Sequence, residues 1–217
     1  MKTQKAYISA LLTLTLTTAM VHGAEIFNFS DMVGGTIQFN GTASSFEFNP
    51  NTNQWSIISE SGGTGSATGL EGTFTGGPWS YGAITSSSGV QTATVNPGPA
   101  TLTINDGAGY LATANVAWVN VTTYQGAGFL NVGAIVNLSN LAYSGANVDL
   151  MSFFSAPAGV LTLSFQYNPA MTLSQLTAGS GPYLTSFSGS LTPVPEPGVL
   201  AICGLGFALL GRRILRK

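Results

Sequence analysis

The stretch VLTLSFQYN, residues 160–168, decides the fold class, because from Leu161 onward its apolar and polar side chains alternate. Successive side chains of an extended strand point to opposite faces of a sheet, so one set would pack in a core and the other would meet water. The stretch therefore predicts a half-buried β-strand. The apolar set is Leu161, Leu163, Phe165 and Tyr167, and the polar set is Thr162, Ser164, Gln166 and Asn168.

The same period of two recurs along the chain between Gly, Asn and Pro turn residues. It predicts strands at 36–40, 45–49, 54–60, 72–76, 90–95, 100–106, 110–122, 129–138, 160–167 and 183–191. Many short strands at this spacing favour an all-β fold, specifically a β-sandwich, with a jelly roll as the narrower form. Short helices are candidates at Asn147–Phe154 or Thr172–Leu176, and the Gly- and Ser-rich stretch Ser59–Thr75 is a candidate mobile loop.

Charge is scarce and unevenly placed. Only 6% of the 217 residues are charged, about a quarter of the usual share. All basic residues lie near the two ends, at Lys2, Lys5, Arg212, Arg213, Arg216 and Lys217. The middle of the chain carries only carboxylates, which are Glu25, Asp31, Glu47, Glu60, Glu71, Asp106 and Asp149, and Glu196 follows near the end.

Residues 1–23 have the three-part pattern of a secretory signal peptide. Two lysines precede an uncharged, largely apolar run at 6–21, and small residues follow at the positions that a signal peptidase reads. We therefore expect cleavage before Ala24 and export of the rest. The predicted domains are a signal peptide at 1–23, a β-sandwich ectodomain at 24–191 and a C-terminal segment at 192–217.

The C-terminal segment has three parts in a fixed order. Val194-Pro195-Glu196-Pro197 comes first, an uncharged stretch at 198–211 follows, and a basic cluster of Arg212, Arg213, Arg216 and Lys217 ends the sequence. A helix over 198–211 would cover about 21 Å at about 1.5 Å per residue. That length is short of a hydrocarbon core of about 30 Å, but Ile214 and Leu215 extend the helix if the side chains of Arg212 and Arg213 reach the interface. The basic end would stay in the cytoplasm, so we predict a single transmembrane helix with the body outside.

This segment resembles the PEP-CTERM sorting signal of exported proteins in Gram-negative bacteria. The resemblance implies recognition by exosortase, a membrane protease, with cutting near Pro195-Glu196-Pro197. It implies a precursor anchored in the inner membrane and then a cell-surface or extracellular product. The body resembles the β-rich ectodomains that precede such tails, which are associated with biofilm or extracellular polysaccharide systems.

Missing residue types exclude most catalytic chemistry in the body. The sole histidine is His22 and the sole cysteine is Cys203, and both lie outside 24–191. Histidine-based nucleophilic catalysis, lysine Schiff bases and His/Cys metal sites are therefore excluded there. Nucleic-acid binding, which relies on Lys and Arg, is equally disfavoured. We predict a non-enzyme without cofactor or metal.

Carboxylates leave one catalytic alternative open. Two of them at about 5–5.5 or 6.5–9.5 Å could serve as a glycosidase pair, and the candidates are Glu47, Glu60, Glu71, Asp106 and Asp149. Sequence does not supply that distance, and solvated surface acids are the expectation. The segment Asn105-Asp106-Gly107 offers oxygen ligands for calcium but favours a hairpin turn.

Aromatic residues suggest a second function class. Trp79 and Tyr81 follow a Gly-Gly-Pro turn, and if exposed they could stack on sugar rings, whereas Trp118 in a long strand is expected in the core. The first hypothesis is a non-enzymatic surface or matrix protein sorted through its tail. The alternative is a carbohydrate-binding β-sandwich module, with extracellular polysaccharide as partner, and an acid-pair hydrolase is the third.

Overall fold

The structure, a computed structural model, describes residues 25–34, 36–49, 54–124 and 130–194. The predicted signal peptide, residues 195–197 of the predicted sorting motif, the predicted transmembrane helix with Cys203 and the basic cluster lie outside these residues. Within the described ranges, none of the helices has the length and apolar character needed to cross a membrane.

The described residues are mostly β-structure, which confirms the predicted all-β class. The strands are β1 Ile26–Asp31, β2 Ile37–Asn40, β3 Ser45–Phe48, β4 Gln54–Ser61, β5 Glu71–Gly76, β6 Trp79–Ser80, β7 Thr85–Ser87, β8 Val90–Thr94, β9 Ala100–Asn105, β10 Leu111–Tyr124, β11 Leu130–Ala142, β12 Ala158–Tyr167, β13 Tyr183–Thr185 and β14 Phe187–Val194. Two short helices are α1 Val148–Phe154 and α2 Leu173–Ala178.

Eight strands close into a ring in the order β11-β12-β14-β1-β4-β5-β9-β10, and β10 pairs back to β11. Strand β10 is long enough to serve two neighbours on one side. Its residues 111–115 pair with β9, and its residues 120–124 pair with β8, which continues to β7. Closure satisfies the backbone hydrogen bonds that the edges of an open sheet would leave unpaired.

The alternating apolar side chains that predict the strands also form the core of the closed sheet. In β12, Leu161, Leu163 and Phe165 are buried while Thr162 and Ser164 are exposed. The neighbouring strands contribute buried rings and branched side chains in the same way, so the core forms between their apolar faces. Its members include Phe27, Phe29, Trp55, Ile57, Phe74, Leu102, Ile104, Trp118 and Leu191.

A second sheet, in the order β13-β2-β3-β6, packs its aromatic side chains on this core. The ring of Phe46 lies 4.7 Å from that of Trp118, and the ring of Phe48 lies 4.5 Å from that of Phe74. Helix α1 packs near the start of β1, where Phe153 stacks on Phe27 at 5.0 Å.

All ten predicted strands overlap observed ones, but 183–191 divides in two around Ser186. Its first part, β13, pairs with β2 in the small sheet, and its second part, β14, pairs with β12 and β1 in the closed sheet. The short strands β6 and β7 and the strand β1 are additional. Both predicted helix positions are confirmed.

Caps explain why the two helices start where they do. The Asn147 side chain accepts hydrogen bonds from the backbone N–H groups of Asp149 and Leu150. Thr172 and Gln175 form a reciprocal capping box at the start of α2. Each cap satisfies N–H groups that the first helical turn leaves without a partner.

The expectation of a mobile loop over Ser59–Thr75 is wrong. Strand β4 extends to Ser61 and β5 begins at Glu71. The residues between them are held by side-chain hydrogen bonds to α1 and β4. The Gly and Ser content allows tight turns here, and the carboxylates of Asp149 and Glu60 fix those turns.

Candidate functional site

Three carboxylates meet where β1 begins, β4 ends and α1 starts. One carboxylate oxygen each of Glu25, Glu60 and Asp149 lies within 4.8 Å of the other two. Glu25 directly precedes β1, whose residue Ile26 pairs with Ser61, so Glu25 lies beside the end of β4. Asp149 lies in the first turn of α1, which brings its side chain to the same place.

Asp149 is 2% exposed and accepts four hydrogen bonds. Thr64 donates from its backbone N–H and its hydroxyl, both at 2.9 Å, and Ser66 donates from its N–H at 2.6 Å and its hydroxyl at 2.7 Å. Burial by itself would raise the pKa of Asp149, but these donors stabilise the charged form and hold that pKa well below its usual range. Asp149 is therefore an ionised, firmly oriented carboxylate.

Glu25 has the opposite environment. It is 4% exposed, and its Oε1 atom is buried without a hydrogen-bond partner among the described residues. Burial, together with the nearby Asp149 and Glu60 carboxylates, raises its pKa to about 7, although a hydrogen bond to Ser152 opposes the shift. Glu25 can thus change its protonation state near neutral pH.

The two carboxylate oxygens of Glu60 have different surroundings. Its Oε1 atom accepts hydrogen bonds from the N–H and hydroxyl of Thr68, at 3.3 and 3.1 Å. Its Oε2 atom is buried and has no partner in the described part of the chain. The cluster therefore presents two unpartnered oxygens, one from Glu25 and one from Glu60.

Gly63 permits the close approach of these groups. A Cβ atom at this position would lie 2.3 Å from Oε1 of Glu25 and 3.0 Å from Oδ1 of Asp149, so any larger residue would displace a carboxylate. A pocket of about 210 Å³ adjoins the cluster. Its lining residues are Glu25, Gly62, Gly63, Thr64, Val148, Asp149 and Ser152.

No basic side chain neutralises the cluster within the described ranges, since the sequence has no Lys, Arg or His between residues 25 and 194. Mutual repulsion can be relieved by a shared proton or by a cation. An acid-pair hydrolase is less well supported, because Oδ2 of Asp149 already accepts three hydrogen bonds and only Oδ1, which accepts one, has capacity for a further contact. The pocket is also smaller than the roughly 300–1,000 Å³ of typical small-molecule sites.

Of the five carboxylates that the sequence singles out as a candidate pair, the structure brings together Glu60 and Asp149. Glu47 lies in β3, where it accepts a hydrogen bond from Asn40. Glu71 is exposed at the start of β5. Sequence reasoning missed Glu25, because a residue just after a predicted cleavage site shows no pattern linking it to Asp149.

Asp106 forms the turn that the sequence predicts. Its Oδ1 atom accepts hydrogen bonds from the backbone N–H groups of Ala108 and Tyr110, at 2.8 and 2.9 Å. Its Oδ2 atom accepts a hydrogen bond from the hydroxyl of Tyr143 at 2.8 Å. The hairpin between β9 and β10 is thereby confirmed, and Asp106 acts in its structure.

The exposure that sugar stacking by Trp79 and Tyr81 requires is absent, because their side chains are 2% and 5% exposed. Strand β6 pairs with β3 and turns Trp79 inward, where its ring lies 5.1 Å from that of Trp118. Tyr81 shares a 3.0 Å hydrogen bond with Thr177. Neither ring can stack on a sugar, whereas the predicted burial of Trp118 is confirmed.

No protein-family model matches this chain, and comparison with curated proteins and with solved structures finds no match either.

Proposed function

We propose that this protein is an exported, non-enzymatic surface or matrix protein, sorted through a C-terminal PEP-CTERM signal and processed by an exosortase-type protease. The observation that supports this best is how far the last described strand, β14, extends. Val194, the last residue of β14, pairs with Ala158 of β12. Pro195-Glu196-Pro197 comes immediately after it in the sequence.

The register of β14 bears on where a cut would leave the body intact. Thr192 and Pro193 pair with Val160 and Gly159, so the strand continues three residues beyond the predicted boundary at residue 191. In this proposal the processing site lies after Val194, because a cut at an earlier residue would remove paired residues of β14.

The composition of the body supports a passenger role. Between residues 25 and 194 the chain has no Lys, Arg, His or Cys, so side chains that commonly carry nucleophilic and acid–base catalysis are missing. In this proposal the segment 198–211 anchors the precursor in the inner membrane, with Arg212, Arg213, Arg216 and Lys217 on the cytoplasmic side. Processing then gives a cell-surface or extracellular body.

In this proposal the body is a β-sandwich of two layers. The small sheet supplies one layer and part of the closed sheet the other, with Phe46 and Phe48 packed between them. Extracellular polysaccharide belongs to the proposal as a partner, but Trp79 and Tyr81 do not contact it because both are buried.

Mass spectrometry of the exported protein tests the sorting step. The full chain is expressed in a Gram-negative host with and without an active exosortase, and both termini of the surface form are measured. We expect a start at Ala24 and, only with exosortase, an end between Val194 and Pro197. A Glu196→Ala variant should retain Lys217, while Glu71→Ala, which changes an exposed acid of β5, should be processed like the parent. A surface form that keeps Lys217 in the presence of exosortase contradicts the proposal.

A further inference from the structure

We propose that Glu25, Glu60 and Asp149 bind one divalent cation of the size of calcium, which joins β1, β4 and α1. The site lies in the folded body and is independent of the sorting step.

The separation of the three oxygens fits one such ion. Calcium binds oxygen at about 2.3–2.6 Å, so two oxygens that share it can be at most about 5 Å apart. One oxygen from each of Glu25, Glu60 and Asp149 meets this limit, since all three lie within 4.8 Å of one another. Magnesium, at about 2.0–2.1 Å, spans only about 4 Å and demands stricter geometry. Carboxylate oxygens are hard ligands of the kind that calcium prefers.

An unpartnered buried oxygen points independently to a ligand. Oε1 of Glu25 has no hydrogen-bond partner among the described residues although Glu25 is only 4% exposed. Oε2 of Glu60 is likewise buried and has no hydrogen-bond partner among the described residues. Burying carboxylate oxygens without a donor or cation is costly, and a bound cation would satisfy both oxygens at once.

The surrounding structure prepares the cluster for a cation. The four hydrogen bonds from Thr64 and Ser66 fix the orientation of the Asp149 carboxylate, as outer-shell partners do for metal ligands. Oδ1 of Asp149 accepts only one of these bonds and keeps capacity for an ion. Calcium takes six to eight oxygens, and the adjoining pocket of about 210 Å³ has room for water ligands.

Binding should stabilise the fold measurably. An ion that binds the folded state raises its stability by mass action. Three protein carboxylates completed by water fit the weak class of extracellular calcium sites, with Kd of about 10⁻⁴ to 10⁻³ M. At a tenfold excess of calcium over Kd, the melting temperature should rise by about 3–6 °C.

The test compares thermal unfolding of the purified full chain in EGTA with unfolding in up to 10 mM CaCl₂, alongside calorimetric titration with CaCl₂. The melting temperature of the parent should rise by several degrees, and its binding heat should fit a stoichiometry near one ion per chain. Glu25→Gln and Glu60→Gln should lose most of both responses. Glu71→Gln removes the same charge from an exposed site and should respond like the parent.

Glu25→Gln keeps the test decisive, because it removes repulsion and is expected to fold in EGTA at least as stably as the parent. The proposal is overturned if the parent shows neither heat nor shift at 10 mM CaCl₂, or if Glu25→Gln shows the parental shift. An equal shift with MgCl₂, or with NaCl at matched ionic strength, also overturns it. None of these results depends on exosortase processing.

Discussion

Asp149 accepts two hydrogen bonds from Ser66, at 2.6 Å from the backbone N–H and 2.7 Å from the hydroxyl, although 83 residues separate the two in sequence. The contact ties the first turn of α1 to the connection between β4 and β5. Asn147 strengthens it, because its amide donates to the backbone carbonyl of Ser66 at 2.8 Å. A buried carboxylate thus organises a connection whose composition is typical of a flexible loop.

Replacing Asp149 with Asn should lower the free energy of unfolding by about 2–4 kcal/mol, because charge-assisted hydrogen bonds are lost and an amide donor faces other donors. Urea denaturation in EGTA measures this directly. Glu71→Gln is the control and should change stability by less than about 0.5 kcal/mol. An unchanged midpoint for Asp149→Asn would show that the loop does not depend on this carboxylate.

Glu25 should make stability fall as pH rises toward neutrality when calcium is removed. Its pKa is raised from 4.5 to about 7 in the folded state, so between these pH values the folded chain holds more protons than the unfolded chain. Below about pH 4.5, Glu25 therefore contributes at most about 3 kcal/mol to the free energy of unfolding. This contribution is lost as the pH rises through about 7. The facing titratable groups are Glu60 and Asp149.

Chemical denaturation from pH 5 to 8 in EGTA measures how steeply the free energy of unfolding falls with pH. Glu25→Gln should flatten it, since glutamine does not titrate. If the variant retains the parental slope, another group is responsible for it and the assignment to Glu25 fails.

Trp79 should behave as a core residue. Truncation to Ala should cost about 3–5 kcal/mol of unfolding free energy, as for other buried aromatic side chains. Trp79→Phe should cost much less, because the indole Nε1 has no hydrogen-bond partner among the described residues. The exposed-aromatic control is Tyr124→Ala, at a side chain that is 50% exposed.

Polysaccharide pull-down provides the second readout for Trp79. Binding, if the parent shows any, should be the same for the parent and for folded Trp79→Phe. If a Trp79→Ala variant keeps parental stability but loses polysaccharide binding, the hypothesis that Trp79 stacks on sugar rings is supported after all.

Local alternation made most strands predictable, since which face a side chain takes depends on near neighbours along the chain. Residues 161–167 show this most clearly, because every predicted inward side chain is buried. Strand β1 has the same kind of signal in IFNFSD, where Phe27 and Phe29 are buried. It was predictable in principle from that alternation.

Trp79 shows where local reasoning fails. A Gly-Gly-Pro turn before it suggests exposure, but a two-residue strand pairs with Phe46 and directs the indole into the core. The candidate site fails in the same way. Glu60 and Asp149 are separated by 89 positions, and nothing in either neighbourhood encodes their meeting with Glu25.

The sequence by itself determined the all-β class, the positions of the two helices and a body free of basic side chains, because these follow from composition and from contacts over a few residues. Only the tertiary structure decided the closure of the sheet, the burial of Trp79 and the convergence of three carboxylates. These depend on pairing between distant strands, and the free energy that selects such pairing comes from the packing of the whole core.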